Sequence, residues 1–334
     1  MKKLYVFLLC LSVMLFAERM FPQDIHFSQF PNAMVQYNPA FNGQFEQMMK
    51  GTLLHRRQWR GIGEGYTTSG FDAQYKLLSL YNDNYLGFGL LVLQDQAGFA
   101  SLKTFSVKGS VAYHLLASSN DLLSAGATIG YEQRSMNFDG LTWDSQYNGV
   151  NYDPTLDDKE RIIATRRGVA DIGAGINWRR KGKNRVSLGY GIFHAGQQRT
   201  MVARGNDRLR IRSAFNASFV KRYKHIDMKY DALVQRQSGA MEVMLGITGD
   251  YRLGDDSRYT NVKTSSIIRA GMFYRYRDAI HPYIGFDYKR FAGISVGYDI
   301  RMRRMPTIAS RPGGIEVTLT YLGLPNRRRM KVVH

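Results

Sequence analysis

The chain has little cysteine, little proline and little continuous apolar sequence. It contains one cysteine, Cys10, and eight prolines among 334 residues. One cysteine allows no disulfide framework within the chain and no cluster of thiolate metal ligands. Its one continuous apolar run lies at the N-terminus and is shorter than the roughly 20 residues of a membrane helix. The mean hydropathy is −0.33. The sequence therefore predicts neither a disulfide-stapled fold nor a helical membrane protein.

The first 23 residues have the pattern of a secretory signal. Lys2 and Lys3 precede an apolar run, Leu4–Phe16, that ends at Ala17. A short basic segment followed by such a run is typical of the cleaved leader of an exported protein. We expect residues 1–23 to be a signal peptide, with cleavage after Ala17 or a few residues later. The alternative is a buried core helix.

The net charge of +19 restricts the partners of the chain. In a soluble protein, such an excess of basic residues indicates nucleic acid. The export signal and the scattering of the basic residues argue against nucleic acid here. Anionic lipid headgroups, lipopolysaccharide or an acidic protein partner fit better. Residues 325–334 form a basic C-terminal tail, either a solvated end or a docking site, whose cations are Arg327, Arg328, Arg329 and Lys331.

From about residue 51 onward, segments of about ten residues alternate in polarity and then reach a turn. In the clearest segment, Asp171, Gly173, Gly175 and Asn177 are interleaved with Ala170, Ile172, Ala174, Ile176 and Trp178. Alternation with a period of two puts the two sets on opposite faces of a β-sheet. The 33 glycines, 21 tyrosines and 18 phenylalanines also favour short strands over helices.

We count about fourteen such segments. They start near Thr52, Thr67, Tyr85, Thr104, Leu122, Gly168, Val186, Arg210, Ile226, Met241, Ser265, Ala279, Phe291 and Gly314. The first segment alternates poorly, which leaves thirteen or twelve strands open. An even number returns both chain ends to the same side, as in bacterial outer-membrane barrels. The predicted fold is all-β, a transmembrane antiparallel β-barrel of the outer membrane over residues 51–324.

The connections between segments are sorted by length. Long connections, at 137–167, 195–209 and 301–313, follow odd-numbered strands, whereas those after even-numbered strands are mostly short, with Gly254–Thr264 as the exception. Outer-membrane barrels have this asymmetry, with long loops outside and short turns in the periplasm. A soluble β-sandwich, the alternative, has no reason to sort its loops. The polar faces are rich in Gly, Ser, Asn and Asp and suit a water-lined or plugged lumen.

The sequence carries no catalytic signature. It lacks the HExxH zinc motif and the GxSxG nucleophile elbow. An outer-membrane hydrolase stays open as an alternative and would depend on His114 or His194. We expect the lumen carboxylates to form a charge-paired network with basic residues: Asp72, Asp171, Asp231 and Asp287 with Lys76, Lys108, Lys229, Arg269 and Arg275. We predict no catalytic residue, no cofactor and no metal site.

Residues 24–50, before the first strand, combine polar and aromatic residues in an order unlike that of a generic porin. The candidate motif residues are Phe27, Ser28, Gln29, Tyr37, Asn38, Pro39 and Gly43, followed by Arg57, Gln58 and Trp59. Asn38-Pro39 disfavours a regular helix, so we predict an irregular lead-in. It serves as a plug or as a periplasmic contact surface, or it is a loose tail. Arg57, Gln58 and Trp59 either anchor the lead-in to the barrel wall or pack without a partner role.

These motifs resemble those of the PorP/SprF family of type IX secretion system membrane proteins. Two C-terminal pieces, Gly297–Ile300 and Gly314–Val317 with Tyr321, extend the resemblance. It implies a non-enzymatic outer-membrane barrel without a cofactor that works with the secretion machinery and, in some members, with gliding motility. The implied partners are periplasmic, peptidoglycan-linked components and a secreted adhesin or its C-terminal domain. A porin or small-solute channel is the alternative function.

Overall fold

The computed structural model describes most of the chain. The described residues are 24–58, 65–78, 84–98, 102–136, 144–153, 155–156, 166–198, 208–254, 265–289, 291–302 and 313–323. The predicted signal peptide (1–23) and basic tail (325–334) lie outside these ranges, and so does Trp59. Among the described residues, no helix is long and apolar enough to cross a membrane.

Fourteen antiparallel strands form one closed barrel. They are β1 (Met49–Gln58), β2 (Tyr66–Leu78), β3 (Tyr85–Ala97), β4 (Leu102–Leu116), β5 (Asp121–Ser135), β6 (Arg166–Arg180), β7 (Asn184–Phe193), β8 (Arg212–Arg222), β9 (Ile226–Gln237), β10 (Ala240–Leu253), β11 (Ser266–Arg275), β12 (Ala279–Tyr288), β13 (Ala292–Arg301) and β14 (Gly314–Gly323). Each strand pairs with its neighbours in sequence. The sheet closes where β14 pairs with β1, from Met49 opposite Gly323 to Gln58 opposite Gly314.

Because residues alternate in polarity along each strand, the two faces of the barrel wall differ. The outward set is apolar and exposed, as at Ile129, Ile176 and Ile284, whose side chains are 68%, 62% and 63% exposed. Such a band is stable in the hydrocarbon of a bilayer, where strand backbones are satisfied only in a closed barrel. The prediction of a fourteen-stranded outer-membrane barrel is confirmed.

The two ends of the barrel differ. The long connections β5–β6, β7–β8 and β13–β14 meet at the end where β1 finishes, which we call the long-loop end. The end where β1 begins carries brief connections at 117–120, 181–183 and 223–225, and we call it the short-turn end. The one long connection there, β10–β11, is the exception already visible in the sequence. The brief β9–β10 turn at the long-loop end has Ser238 and Gly239 at positive φ, as a two-residue hairpin turn requires.

Residues 24–48 lie inside the barrel and are called the plug below. They form a 3₁₀ turn (Phe30–Ala33), one turn of α-helix, α1 (Met34–Tyr37), and a second 3₁₀ turn (Pro39–Phe41). Asn38 is extended, and its side-chain oxygen accepts a hydrogen bond from the Ala40 N–H at 3.0 Å. Asn38 thereby caps the second turn, which Pro39 can begin because a first-turn residue needs no N–H partner. The predicted irregular N-terminal segment is therefore an ordered plug.

The inner wall is less uniformly polar than the sequence suggests. Among the described residues, seven inward side chains are apolar and buried in one cluster with Phe27 and Phe30 of the plug: Leu54, Leu91, Leu93, Ala214, Leu233, Met244 and Phe273. The ring centroids of Phe30 and Phe273 lie 5.5 Å apart in an edge-to-face arrangement. Because the plug brings its own aromatic residues into the lumen, the wall opposite them must be apolar. The plug and the wall thus share one hydrophobic core.

Candidate functional site

The plug runs the length of the lumen. Its first described residue, Asp24, lies level with the long-loop ends of β5, β7, β8 and β9 because it contacts residues at those ends. At the other end, the Gln44 carbonyl accepts a hydrogen bond from Arg179 at 3.3 Å. The Phe45 carbonyl accepts one from Lys76. From there the chain turns into β1 at the short-turn end.

Asp24 fastens the plug near the long-loop end through opposite charges. Its carboxylate lies 2.5 Å from His194 Nε2 and 3.6 Å from both Arg134 and Arg212. The other His194 ring nitrogen, Nδ1, lies 2.9 Å from Asp171. A ring between two carboxylates donates from both nitrogens, which is the protonated form of histidine.

The acid–base equilibria of this pair follow from the same contacts. Burial alone would raise the pKa of Asp24, but His194, Arg212 and Arg134 outweigh it and hold the pKa well below its usual range. Burial disfavours the charged His194 ring, yet Asp24 and Asp171 raise its pKa above the usual 6.5. A lowered aspartate pKa stabilises above pH 3.8, the ordinary value, and the effect is lost as pH falls. A raised histidine pKa stabilises below pH 6.5 and is lost as pH rises through the folded-state value.

A second anchor holds the Phe27-Ser28-Gln29 motif. The backbone N–H groups of Ser28 and Gln29 donate to the two oxygens of Glu316 at 2.8 and 2.9 Å. Arg56 donates to the His26 carbonyl and to Asp299, both at 2.6 Å, and its Nε lies 3.7 Å from Glu316. All of these wall side chains are buried. The paired charges therefore lie away from bulk water, where hydrogen bonds to charged groups are strongest.

The centre of the plug lies on glycines of the inner wall. Residues 37–43, Tyr-Asn-Pro-Ala-Phe-Asn-Gly, approach a set of six that we call the glycine seat: Gly87, Gly89, Gly126, Gly175, Gly189 and Gly191. A Cβ on Gly126 would lie 2.6 Å from the Ala40 nitrogen and from the Pro39 carbonyl carbon. Only glycine allows the two backbones to approach this closely.

The two asparagines of the same segment hold it in register. Asn38 Nδ2 donates to the Ile176 carbonyl at 2.9 Å and to Asn216 Oδ1 at 3.2 Å. Asn42 Nδ2 donates to Ser110 at 2.6 Å. The Asn42 carbonyl accepts a hydrogen bond from His114 Nε2 at 2.6 Å. These bonds reach β4, β6 and β8, so the plug is bound on several sides of the lumen.

The motif residues chosen from the sequence fall into three groups. The structure places seven in the plug: Phe27, Ser28, Gln29, Tyr37, Asn38, Pro39 and Gly43. Gln58 points inward and donates to Asp299 at 3.1 Å. Arg57 is exposed on the outer face, and its neighbour Arg56 makes the plug contacts instead. Asp299 and Glu316 also act in this anchor. The sequence carried a signal for both, since they lie in the two C-terminal motifs, but none that paired them with the plug.

Several cations of the lumen pair with carboxylates of the wall. Lys108 lies 2.5 Å from Asp171, Lys229 lies 2.5 Å from Asp250, and Arg269 pairs with Asp287. Ligand atoms of Glu132, Asp171 and His194 lie within 4.8 Å of one another. Lys108 and Arg134 already pair with carboxylates of this group, which opposes a metal ion there.

The two histidines considered for hydrolysis are both engaged by the plug. His114 Nδ1 lies 2.8 Å from Ser124 Oγ, and its other nitrogen contacts the Asn42 carbonyl. The third group of this set is thus a carbonyl and not a carboxylate. The ring is fully buried, and a substrate could reach it only after the plug moved. His194 is held between two carboxylates, as described above. The geometry of both supports anchoring of the plug.

Comparison with known proteins gives a family and a fold. A family model described as Type IX secretion system membrane protein PorP/SprF matches residues 20–321, which confirms the resemblance in the motifs. No curated protein matches the sequence.

The toluene transporter TbuX of Ralstonia pickettii is 11% identical, with a TM-score of 0.51 over 87% of this chain and 93% of that one. The monoaromatic hydrocarbon channel CymD is also 11% identical, with a TM-score of 0.54 and coverages of 89% and 94%. A FadL homologue of Pseudomonas aeruginosa is 10% identical, with a TM-score of 0.52 and coverages of 85% and 92%. At such identities the similarity concerns the fold alone.

Proposed function

Because the chain belongs to the PorP/SprF family of type IX secretion system membrane proteins, we propose that it is a non-enzymatic outer-membrane component that assists the secretion or surface anchoring of partner proteins, such as gliding adhesins. One observation carries the proposal. The lumen is occupied along its length by a plug with anchors near both ends. A barrel closed in this way offers its mouths and its plug as binding surfaces.

The same proposal includes the organisation of the chain. Residues 1–23 are a signal peptide that is removed, residues 24–50 the plug with its exit from the lumen, residues 51–324 the barrel and residues 325–334 a basic tail. The short-turn end faces the periplasm and the long loops face the cell exterior, by the asymmetry of outer-membrane barrels. Periplasmic, peptidoglycan-linked components then meet the short-turn end, and a secreted adhesin or its C-terminal domain meets either mouth. Lipopolysaccharide surrounds the outer half, and nucleic acid is not a partner.

A small-solute channel is the second candidate. The similar solved structures include a toluene transporter and a monoaromatic hydrocarbon channel. For this chain to pass a solute, the plug would have to leave contacts such as the hydrogen bonds between Glu316 and the backbone at Ser28 and Gln29. A passive pore gains nothing from buried charge pairs of this kind, so we rank the channel second.

Deletion of the coding sequence separates the two functions. The secreted and surface-bound proteins of the deletion strain are compared with those of the parent, together with growth on small solutes. Loss of particular surface proteins at normal growth is the result expected of a secretion component. Unchanged secretion combined with altered solute uptake would overturn the proposal in favour of the channel.

A further inference from the structure

A cavity of about 350 Å³ lies between the plug and the barrel wall. This volume is within the range of ligand-binding pockets, roughly 300–1,000 Å³. Apolar residues of the plug line one side: Phe30, Pro31, Met34, Val35, Phe41 and Phe45. Four basic residues of the wall line the other: Lys50, Arg179, Arg185 and Lys229. The cavity is thus apolar towards the plug and cationic towards the wall.

The cavity lies at the short-turn end of the lumen. Lys50 is the second residue of β1, Arg179 the penultimate residue of β6 and Arg185 the second residue of β7. These strand ends meet at the short-turn end, and Val220, near the end of β8, also lines the cavity. A ligand entering from the side of the short turns meets this cavity first.

The positive charge of the wall is only partly compensated. Arg185 lies 3.1 Å from Asp227, and Lys229 lies 2.5 Å from Asp250. Among the described residues, Lys50 and Arg179, by contrast, form no direct ion pair, although the Asp72 carboxylate attracts Lys50 over a longer distance.

Two cations without a direct ion pair beside an apolar surface are unfavourable unless something pairs with them. Arg179 donates to the Gln44 carbonyl, which satisfies one hydrogen bond without cancelling the charge. One carboxylate, that of Asp231, also lines the cavity. A partly shielded charge is stabilised by an anion more strongly than a charge in open water is. The chemistry of the cavity therefore calls for an occupant with at least two negative charges and an apolar part.

We propose that this cavity binds an acidic segment of a partner polypeptide, with an apolar side chain against Phe41 and Met34 and carboxylates at Lys50 and Arg179. The inference rests on the proposed function, because it names the chemistry of the partner that would meet the short-turn end. A fatty acid has the apolar part but a single carboxylate, which leaves one of the two cations unpaired. Charge balance thus favours the polypeptide.

Binding to the purified full chain in detergent micelles tests the inference. The probe is a short fluorescent peptide with a central Phe-Leu pair flanked by glutamates, measured by anisotropy. Its controls are the same peptide with lysines in place of the glutamates, and laurate as a competitor. We expect saturable binding of the acidic peptide alone, weakened at about 1 M salt, where the Debye length falls to roughly 3 Å. Equal binding of both peptides, no binding, or binding of laurate without the acidic peptide would overturn the inference.

A pair of double variants locates the site. Lys50→Gln with Arg179→Gln removes the two cations that lack a direct ion pair. Lys181→Gln with Lys183→Gln removes the same charge from the neighbouring exposed turn. We expect the dissociation constant of the acidic peptide to rise roughly tenfold in the first, about threefold for each ion pair, and to stay within twofold in the second. Equal effects of the two double variants on peptide binding would refute this location of the site. If the Lys50→Gln, Arg179→Gln variant folds poorly, the comparison of the acidic peptide with the lysine peptide on the wild type still tests the inference.

Complementation of the deletion strain distinguishes a failure of this inference from a failure of the proposed function. The strain is complemented with the wild type or with either double variant, and secreted proteins are compared. Normal secretion in the uncomplemented strain refutes the proposed function. If secretion requires the gene and the Lys50→Gln, Arg179→Gln variant restores it fully, the function stands and the cavity inference fails. We expect only the Lys181→Gln, Lys183→Gln variant and the wild type to restore it.

Discussion

The glycine seat allows a sharp test of how the plug is held. Alanine at Gly126 puts a methyl group 2.6 Å from the Ala40 nitrogen and the Pro39 carbonyl carbon. Both atoms belong to backbone, which cannot rotate away as a side chain can. The plug must therefore shift by about an ångström, or the wall must bend. Forcing a methylene into a packed site costs about 1–3 kcal/mol.

This cost falls on the docked plug and much less on the barrel wall. A penalty of one to two kcal/mol reduces the docked fraction relative to the released one by a factor of about 5–30. The hydrogen bonds of Asn38 and Asn42 would lengthen at the same time, since both residues flank the displaced segment. We expect Gly126→Ala to fold into the barrel with a plug that leaves the lumen more often.

The matched control is Gly109→Ala on the neighbouring strand β4. Gly109 lies on the outer face, and a Cβ there would lie 4.0 Å from its nearest neighbour, the Ile129 carbonyl oxygen. The two variants are compared for protease cleavage within residues 24–48 and for the temperature at which the barrel unfolds in detergent. We expect faster cleavage and a lower unfolding temperature in Gly126→Ala alone. Identical behaviour of the two variants would refute the account of the seat.

The remaining predictions concern the two anchors and the shared core. Arg56→Met removes the cation that lies between the buried carboxylates Asp299 and Glu316 and should cost about 3 kcal/mol in unfolding free energy. Arg57→Met, on the outer face, should change it by less than about 0.5 kcal/mol; denaturation of both variants in detergent checks the difference. As pH rises above 6.5, the N-terminal end of the plug should loosen as His194 loses its proton and its pairing with Asp24, seen as lower amide protection factors, which are corrected for the intrinsic rise of exchange with pH. His194→Gln should remove that pH dependence, and persistence of it would contradict the assignment. Phe27→Ala should destabilise by about 3–5 kcal/mol because it opens a cavity in the core shared by plug and wall, measured by thermal unfolding.

The barrel itself could be predicted from the sequence because its evidence is local. Alternation at Ala170–Trp178 depends only on residues two apart, and the face that meets lipid must be apolar along every strand. The loop lengths then separate the two ends. Even the exception at Gly254–Thr264 is a property of the chain that the structure retains.

The contacts of the plug depend on residues far apart in the chain, and the sequence could not supply them. Residues 56 and 57 are both arginine, and which one points inward depends only on which alternate residues of β1 face the lumen. The sequence does not show which residues of β1 face the lumen, because Leu53 and Leu54 are both apolar. Leu53 faces lipid, whereas Leu54 faces Phe27 in the shared core. Likewise, the sequence identifies the seat glycines only as residues that line the lumen. Their contact with the backbone of residues 37–43 is visible only in the structure. A motif could be recognised, but its wall partners could not.

The plug closes the lumen, and ion conductance measures this closure most directly. The purified chain is inserted into planar bilayers and compared with a variant that keeps residues 1–23 and lacks residues 24–45. Wild-type barrels should give no steady current, whereas the shortened barrels should conduct, because the described contents of the lumen are then removed. Steady currents of the same size in both proteins would contradict the account.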